Sequence, residues 1–280
     1  MQIISNIQEV INLCQQWHDQ GKKIAFVPTM GNLHDGHLSL IAEAKNHADK
    51  VVVSIFVNPL QFGEGEDFKE YPRTLEDDVD KMSTLSPDLV FNPSVDEFYP
   101  GDEEVENGVE LGELGTILEG HSRPGHFSGV VTVVKRLFEI IRPDFAIFGE
   151  KDFQQLMVIR CLIKQLQLPI TLVSMPTKRE QNGLAMSSRN AYLTSQQRVQ
   201  AAQLYVELCA IKDKILHGKQ SVTEIEAQAH TKLESLGFVP DYIVIRDASN
   251  LANPGEEPGQ QVILAAVYLG KTRLIDNLRV

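Results

Sequence analysis

The chain has 280 residues, 42% hydrophobic and 23% charged, enough for one large α/β domain or two smaller ones with their own cores. A formal net charge of −12 argues against a broad grip on nucleic acid, which needs clustered Lys and Arg, yet a local group of donors can still hold a small anion. Cys14, Cys161 and Cys209 lack metal-ligand or disulfide spacing and read as buried thiols of a reducing compartment; with no secretory signal in MQIISNIQEV and no apolar run long enough to span a bilayer, a cytoplasmic protein is expected.

Ile7, Val10, Ile11, Cys14 and Trp17 form a helical stripe over residues 6–17, and Gly21 stops it. KKIAFVP (22–28) reads as a buried strand, Leu38, Ile41 and Ala44 as the inner face of a helix, and KVVVSIFV (50–57) as a second strand. Strand, helix and strand in that span make a βαβ unit with parallel strands. DLVFN (88–92) is a short strand, GVVTVVKRLFEII (129–141) a buried helix despite its valines, DFAIFG (144–149) a strand, FQQLMVIRCLIKQL a helix and PITLVSM (169–175) a strand. This alternation predicts a Rossmann-like, doubly wound parallel sheet over residues 1–175 with its ligand site at the strand C-termini. From 176 the pattern changes. A polar loop leads to helices near 195–217 and 221–236, then strands DYIVIRD and QVILAAVYLG around the turn region NPGEEPGQ, a smaller α+β domain over 176–280.

The loop after the first parallel strand is PTMGNLHDGHLSLI (28–41), with His34 and His37 where a helix begins. A helix start offers unpaired N–H groups and a partial positive charge, and Gly31 and Gly36 let backbone approach a ligand closely. Histidines three apart project to one side, so both can donate to one phosphoryl group as charge builds there. Metal ligation is the other use of such a pair, but no third ligand is evident. The position favours phosphate.

His-x-Gly-His is similar to the HxGH signature of the nucleotidyltransferase superfamily related to class I aminoacyl-tRNA synthetases. PTMGNLHDGH, FVNPLQFGEGEDFKEYPRT, RPGHFSGVVTVV, FGEKDFQQL and GLAMSSRN then follow in the order and spacing of the pantoate–β-alanine ligase family, from about residue 24 to 195. The resemblance implies ATP-dependent condensation of (R)-pantoate with β-alanine through a pantoyl adenylate, releasing AMP and diphosphate. It also implies a homodimer, no nucleic-acid or membrane partner, Mg²⁺ alongside ATP, and a C-terminal domain closing over the ATP site. The alternative is a nucleotidylyltransferase of the same superfamily, which leaves the nucleotide on its product.

Residue roles carried by the resemblance are these. His34, His37 and Lys151 are the catalytic candidates. ATP contacts are Met30, Gly31, Asn32, Leu33, His34, Asp35, Gly36 and His37, then Gly149, Glu150, Lys151 and Asp152, then Lys178, Met186, Ser187, Ser188 and Arg189 in the place of a KMSKS-type loop. Lys151 is the expected phosphate cation and Asp152 a helix cap or nucleotide contact; Met30 and Lys178 are expected to contribute backbone. Gln61 and Gln155 match the pantoate glutamines, Gln61 also β-alanine. Asp77, within Glu76-Asp77-Asp78, is the protein-side Mg²⁺ candidate, against the plainer reading of a solvated helix face. Arg73 and Arg123 either line the site or brace the scaffold. Asn182 stands where the family often has Asp, which keeps a turn-forming side chain and removes a charge.

Overall fold

The computed structural model describes residues 1–63, 65–66, 68–101, 108–255 and 259–280. Part of the turn region NPGEEPGQ, residues 256–258, lies outside them. In chain order the elements are β1 (Gln2–Ile4), α1 (Ile7–Asp19), β2 (Ile24–Thr29), α2 (Asp35–His47), β3 (Lys50–Ile55), α3 (Leu75–Met82), β4 (Leu89–Phe91), α4 (Val95–Phe98), α5 (Glu119–Ser122), α6 (His126–Ile141), β5 (Phe145–Gly149), α7 (Phe153–Gln165) and β6 (Thr171–Met175). There follow α8 (Ser195–Ala201), α9 (Gln203–His217), α10 (Val222–Ser235), β7 (Val239–Asp247), β8 (Gln261–Leu269) and β9 (Thr272–Arg279). Contacts group them into one unit of Met1–Glu150 with Gln154–Met175, and a second of Lys151–Phe153 with Pro176–Val280.

In the first unit six parallel strands run in the order β1-β4-β3-β2-β5-β6. Side chains alternate across the sheet, as a period of two requires. Ile24 and Phe26 of β2 point into a core shared with α1, α6 and α7, while Ala25 and Val27 pack with Ile41 and Ala44 of α2 and Met82 of α3. Burial on both faces explains why the strands read as continuous apolar runs. It also explains α6: Val130, Val131, Val133 and Val134 disfavour a helix intrinsically, but all four are buried against the sheet and packing prevails. Connections leave β2 toward β3 on one side and toward β5 on the other, so the chain reverses its winding between β2 and β5. Ligands of doubly wound sheets bind at the strand C-termini of that crevice.

The second unit has an antiparallel sheet β7-β8-β9 against α9 and α10. The long helix expected near 195–217 is two, α8 and α9, meeting at Ala202 with φ −63° and ψ −21°. No Pro or Gly marks that break. β1 and β9 had no sequence signal. β1 is a three-residue edge strand, and β9 buries Asp276 and Asn277 where an apolar alternation would be sought. Of the three cysteines, only Cys14 is buried as expected; Cys161 and Cys209 are half-buried.

Candidate active site

The loop after β2 is held from several directions. Thr29 Oγ1 donates to Ser54 O at 2.7 Å and accepts the Gly31 amide at 3.2 Å. Gly31 then turns with φ +82°, where a Cβ would be strained and would sit 3.1 Å from Asp78 Oδ2. Next, the Asn32 and Leu33 amides donate to the Asp78 carboxylate at 2.8 and 2.7 Å. Asp78 is fully buried on α3 and also accepts from Thr74 Oγ1 at 3.2 Å. A carboxylate out of water is tolerated when donors surround it. Lys81, one turn further along α3, donates Nζ to Leu33 O at 2.9 Å. Thus α3 grips both the N–H and the C=O groups of the peptide that leads into α2.

Of the two histidines where the helix begins, His34 is the N-cap of α2 and only His37 lies in its first turn. The two rings form a reciprocal cap: His34 Nδ1 accepts the Gly36 amide at 3.1 Å, and His37 Nδ1 accepts the His34 amide at 3.3 Å. Their centroids are 4.1 Å apart, with planes 34° from parallel. A backbone N–H can only donate, so both Nδ1 atoms are bare and each neutral ring carries its proton on Nε2. Asp35 and Gly36 form the first turn behind them, Asp35 exposed.

Gln61 ends a 3₁₀ turn, Pro59–Gln61, that lies against α6. The approach is possible because residue 129 is glycine: a Cβ there would fall 2.1 Å from Leu60 O. Gln61 Nε2 lies 2.8 Å from Met30 Sδ, so the Met30 side chain sits against the amide of Gln61. Behind the turn, His126 Nδ1 is 2.8 Å from Gln61 O, and Arg123 forks onto both oxygens of Glu66 at 2.7 Å each. Burial first, then the Arg123 charge, push His126 down to about 4, so it is neutral and gives its proton to Gln61 O. Arg123 is scaffold. So is Arg73, which caps the Tyr71 and Phe68 carbonyls at 3.2 and 3.3 Å.

Gly149 ends β5 beside β2, and Glu150 follows, its Oε1 accepting from Ser174 Oγ at 3.2 Å. On α7 two successive glutamines divide their labour. Gln154 is buried and spends its amide on Glu119 N, Leu114 O and Ile117 O. Half-buried Gln155 has no side-chain hydrogen bond among the described residues.

The other predicted ATP contacts belong to the second unit. Lys151 Nζ is 3.6 Å from Asp152 Oδ1, and its backbone carbonyl accepts from Asn277 Nδ2 at 2.8 Å. Lys178–Met186 forms a small hairpin: Met186 N donates to Lys178 O at 2.9 Å, and Glu180 N to Leu184 O at 2.8 Å. Lys178 itself is exposed. At the tip Asn182 Oδ1 accepts the Leu184 amide at 3.1 Å, a bond that Asp would make equally well. Arg179 anchors the hairpin by a fork onto buried Asp276 at 2.6 and 2.9 Å. Burial raises the Asp276 carboxyl despite that partner, which opposes the shift. The chain then enters the 3₁₀ turn Ser188–Tyr192, where Ser187 Oγ caps the Arg189 amide at 3.3 Å.

Asp77 is exposed on α3, and no group of three or more His, Cys, Asp or Glu among the described residues is arranged to hold a metal ion. A single exposed carboxylate does not make a built magnesium site. The residue of that acidic run with a structural task is Asp78. Its signal was its place on the Leu75–Asp78–Met82 stripe, a carboxylate on the apolar face of a helix. Asn58, Tyr99 and His126 were likewise passed over, because each has a partner far off in the chain: Gly129 for Asn58, Asn58 for Tyr99 and Gln61 for His126.

The family model for pantoate-beta-alanine ligase matches residues 2–279, a longer span than the motifs from 24 to 195. Two relatives called pantothenate synthetase, from Idiomarina loihiensis and Alteromonas mediterranea, are 49% and 46% identical over the whole chain and 98% and 99% of their own lengths. Among solved structures, pantothenate synthetase from Thermus thermophilus is 40% identical with a TM-score of 0.90, covering 100% of this chain and 99% of that one. Pantoate-beta-alanine ligase from Francisella tularensis, solved with beta-gamma ATP and beta-alanine, is 38% identical with a TM-score of 0.83, covering 100% and 97%. No helix among the described residues is long and apolar enough to cross a membrane.

Proposed function

The chain belongs to the pantoate–β-alanine ligase family, and from that premise we propose how its residues carry the reaction. The enzyme condenses (R)-pantoate with β-alanine at the expense of ATP, giving pantothenate, AMP and diphosphate. A carboxylate acylates poorly because oxide would have to leave. Attack of a pantoate carboxylate oxygen on the α-phosphorus expels diphosphate and makes that oxygen part of an AMP leaving group. The β-alanine nitrogen then attacks the acyl carbon, the C–O bond to AMP breaks, and the ammonium proton passes to solvent. No enzyme nucleophile is needed; positioning and charge stabilisation carry the rate.

His34 and His37 donate from Nε2 to the phosphoryl oxygens, a role supported by the bare Nδ1 of each ring. That polarity is the observation on which the reading of this loop rests. ATP is further bound by Met30 to Gly36, by Gly149 and Glu150, by Lys151 as the compact phosphate cation with Asp152 beside it, and by Lys178, Met186, Ser187, Ser188 and Arg189, where hydroxyls and a guanidinium suit the β- and γ-phosphates. Pantoate is bound by Gln61 and Gln155, supported for Gln155 by its uncommitted amide. Mg²⁺ enters on the phosphates of ATP as part of the substrate, since the described carboxylates do not build a site for it. Free thiols suit a reducing cytoplasm, and a homodimer is the assembly the family implies.

The decisive experiment is ATP–pyrophosphate exchange without β-alanine. Exchange that requires pantoate supports adenylate formation as the first step. Exchange that appears only with β-alanine present, or is driven by a phosphorylated acceptor in place of pantoate, overturns it.

A further inference from the structure

A glutamine seen alone can show a substrate either its oxygen or its NH₂. Gln61 has no such freedom, and the reason lies a few residues behind it. Asn58 is 1% exposed, and its amide is oriented by partners of fixed polarity. Gly129 O, which can only accept, is 3.1 Å from Nδ2; Leu60 N, which can only donate, is 3.2 Å from Oδ1. Exchanging the two ends would set donor against donor and acceptor against acceptor. With Oδ1 fixed as an acceptor, the Tyr99 hydroxyl at 3.0 Å must donate to it. The Tyr99 ring is packed against Phe98 and Phe56, with centroids 4.9 and 6.0 Å away. Burial pushes the phenol far above its ordinary range, against a smaller opposing effect of Arg136, so the donor persists.

On its other side Asn58 Nδ2 donates to Gln61 Oε1 at 3.2 Å. The Gln61 oxygen is therefore turned inward, and its NH₂ faces Met30 Sδ, a weak acceptor at 2.8 Å that a carboxylate or hydroxyl oxygen outcompetes. The backbone carbonyl of the same residue is pinned by His126 Nδ1 at 2.8 Å and Arg123 Nη2 at 3.4 Å. Main chain and side chain are both fixed, by separate networks.

Resting on the reading that Gln61 contacts pantoate, we propose that Tyr99 is a positioning residue that acts through Asn58 to hold Gln61 as a hydrogen-bond donor toward the oxygens of the hydroxy acid. The site then selects for an acceptor at that point of the substrate.

The test is a double-mutant cycle of Tyr99→Phe, Gln61→Ala and both, read as KM for pantoate and for ATP in the exchange assay. Tyr99→Phe should raise the pantoate KM about fivefold, the effect of one ordinary hydrogen bond, while the ATP KM stays put. In the Gln61→Ala background the same substitution should add nothing, because its target is gone. An equal increase in both backgrounds marks a packing role and overturns the proposal, as does an unchanged pantoate KM in Tyr99→Phe alone. Asn58→Asp supplies a second reading: it keeps the shape but sets an acceptor against Gln61 Oε1 and Gly129 O, and should raise the pantoate KM more than Tyr99→Phe does. A smaller effect overturns the proposed polarity. If Gln61→Ala itself leaves the pantoate KM unchanged, the assignment of Gln61 to pantoate fails; if it raises KM and Tyr99→Phe does not, only the positioning role fails.

Discussion

Replacing Asp78 by Asn keeps the outline of the side chain and removes the property the loop depends on. The carboxylate accepts the Asn32 amide at 2.8 Å and the Leu33 amide at 2.7 Å on different oxygens, with Thr74 Oγ1 at 3.2 Å on the first. An asparagine can serve only one amide with its oxygen; its NH₂ must then confront the other. One charge-assisted bond is lost and a buried N–H is left unsatisfied, a cost of about 3 kcal/mol. Trp17 is the single tryptophan, 8% exposed in the core of the same unit, so urea unfolding followed by its fluorescence reports the loss. The loop also sets the start of α2, so pantoate-dependent exchange should fall about 100-fold, as expected when reacting groups move by about 1 Å. Thr74→Val, which removes only the hydroxyl, should cost about 1 kcal/mol. An Asp78→Asn protein within about 1 kcal/mol of the parent, the worth of a single ordinary hydrogen bond, with unchanged exchange, would refute the clamp.

His37→Ala should still fold, at a cost of about 1 kcal/mol for the lost cap of the His34 amide, and slow adenylate formation by about 100-fold or more in single-turnover assays, since it removes a donor to the developing phosphoryl charge. Asn182→Asp should leave the ATP KM and turnover within about twofold, because the hairpin needs only an oxygen to accept the Leu184 amide. A pH dependence follows from His126, held down to about 4 in the folded protein against a usual value near 6.5. Between these values the unfolded chain binds the extra proton. Stability is therefore intact above about pH 6.5 and falls as pH drops toward 4, by up to about 3 kcal/mol, measurable as urea midpoints across that range. His126→Gln should flatten that slope.

What could be read in advance and what could not divide along physical lines. The parallel strands were legible because burial on both faces leaves an unbroken apolar run, as in Val51–Val53. The histidine loop was legible from its place after β2, though not that His34 closes the helix instead of joining it. β9 was hidden because its inward positions include Asp276, whose fork partner Arg179 is 97 residues away in the chain. Asp78 was overshadowed by the two acids before it, one of which, Asp77, stood out as the candidate to hold a cation. Tyr99, Asn58 and Gly129 acquire meaning only once folding brings α6 onto the 59–61 turn, a relation no local pattern encodes.

The mutual cap at the start of α2 has an implication for how this enzyme loses activity in acid. A proton arriving on Nδ1 of either imidazole takes away the lone pair that finishes the helix while Nε2–H stays in place, so the helix end and the seating of the donor are disturbed in one event. Substituting Asn at position 34 would part the two: an amide oxygen can still close the helix, whereas the outward-facing N–H on the far side of the ring has no counterpart. Such a protein should keep its shape in mild acid while remaining a poor catalyst at every pH.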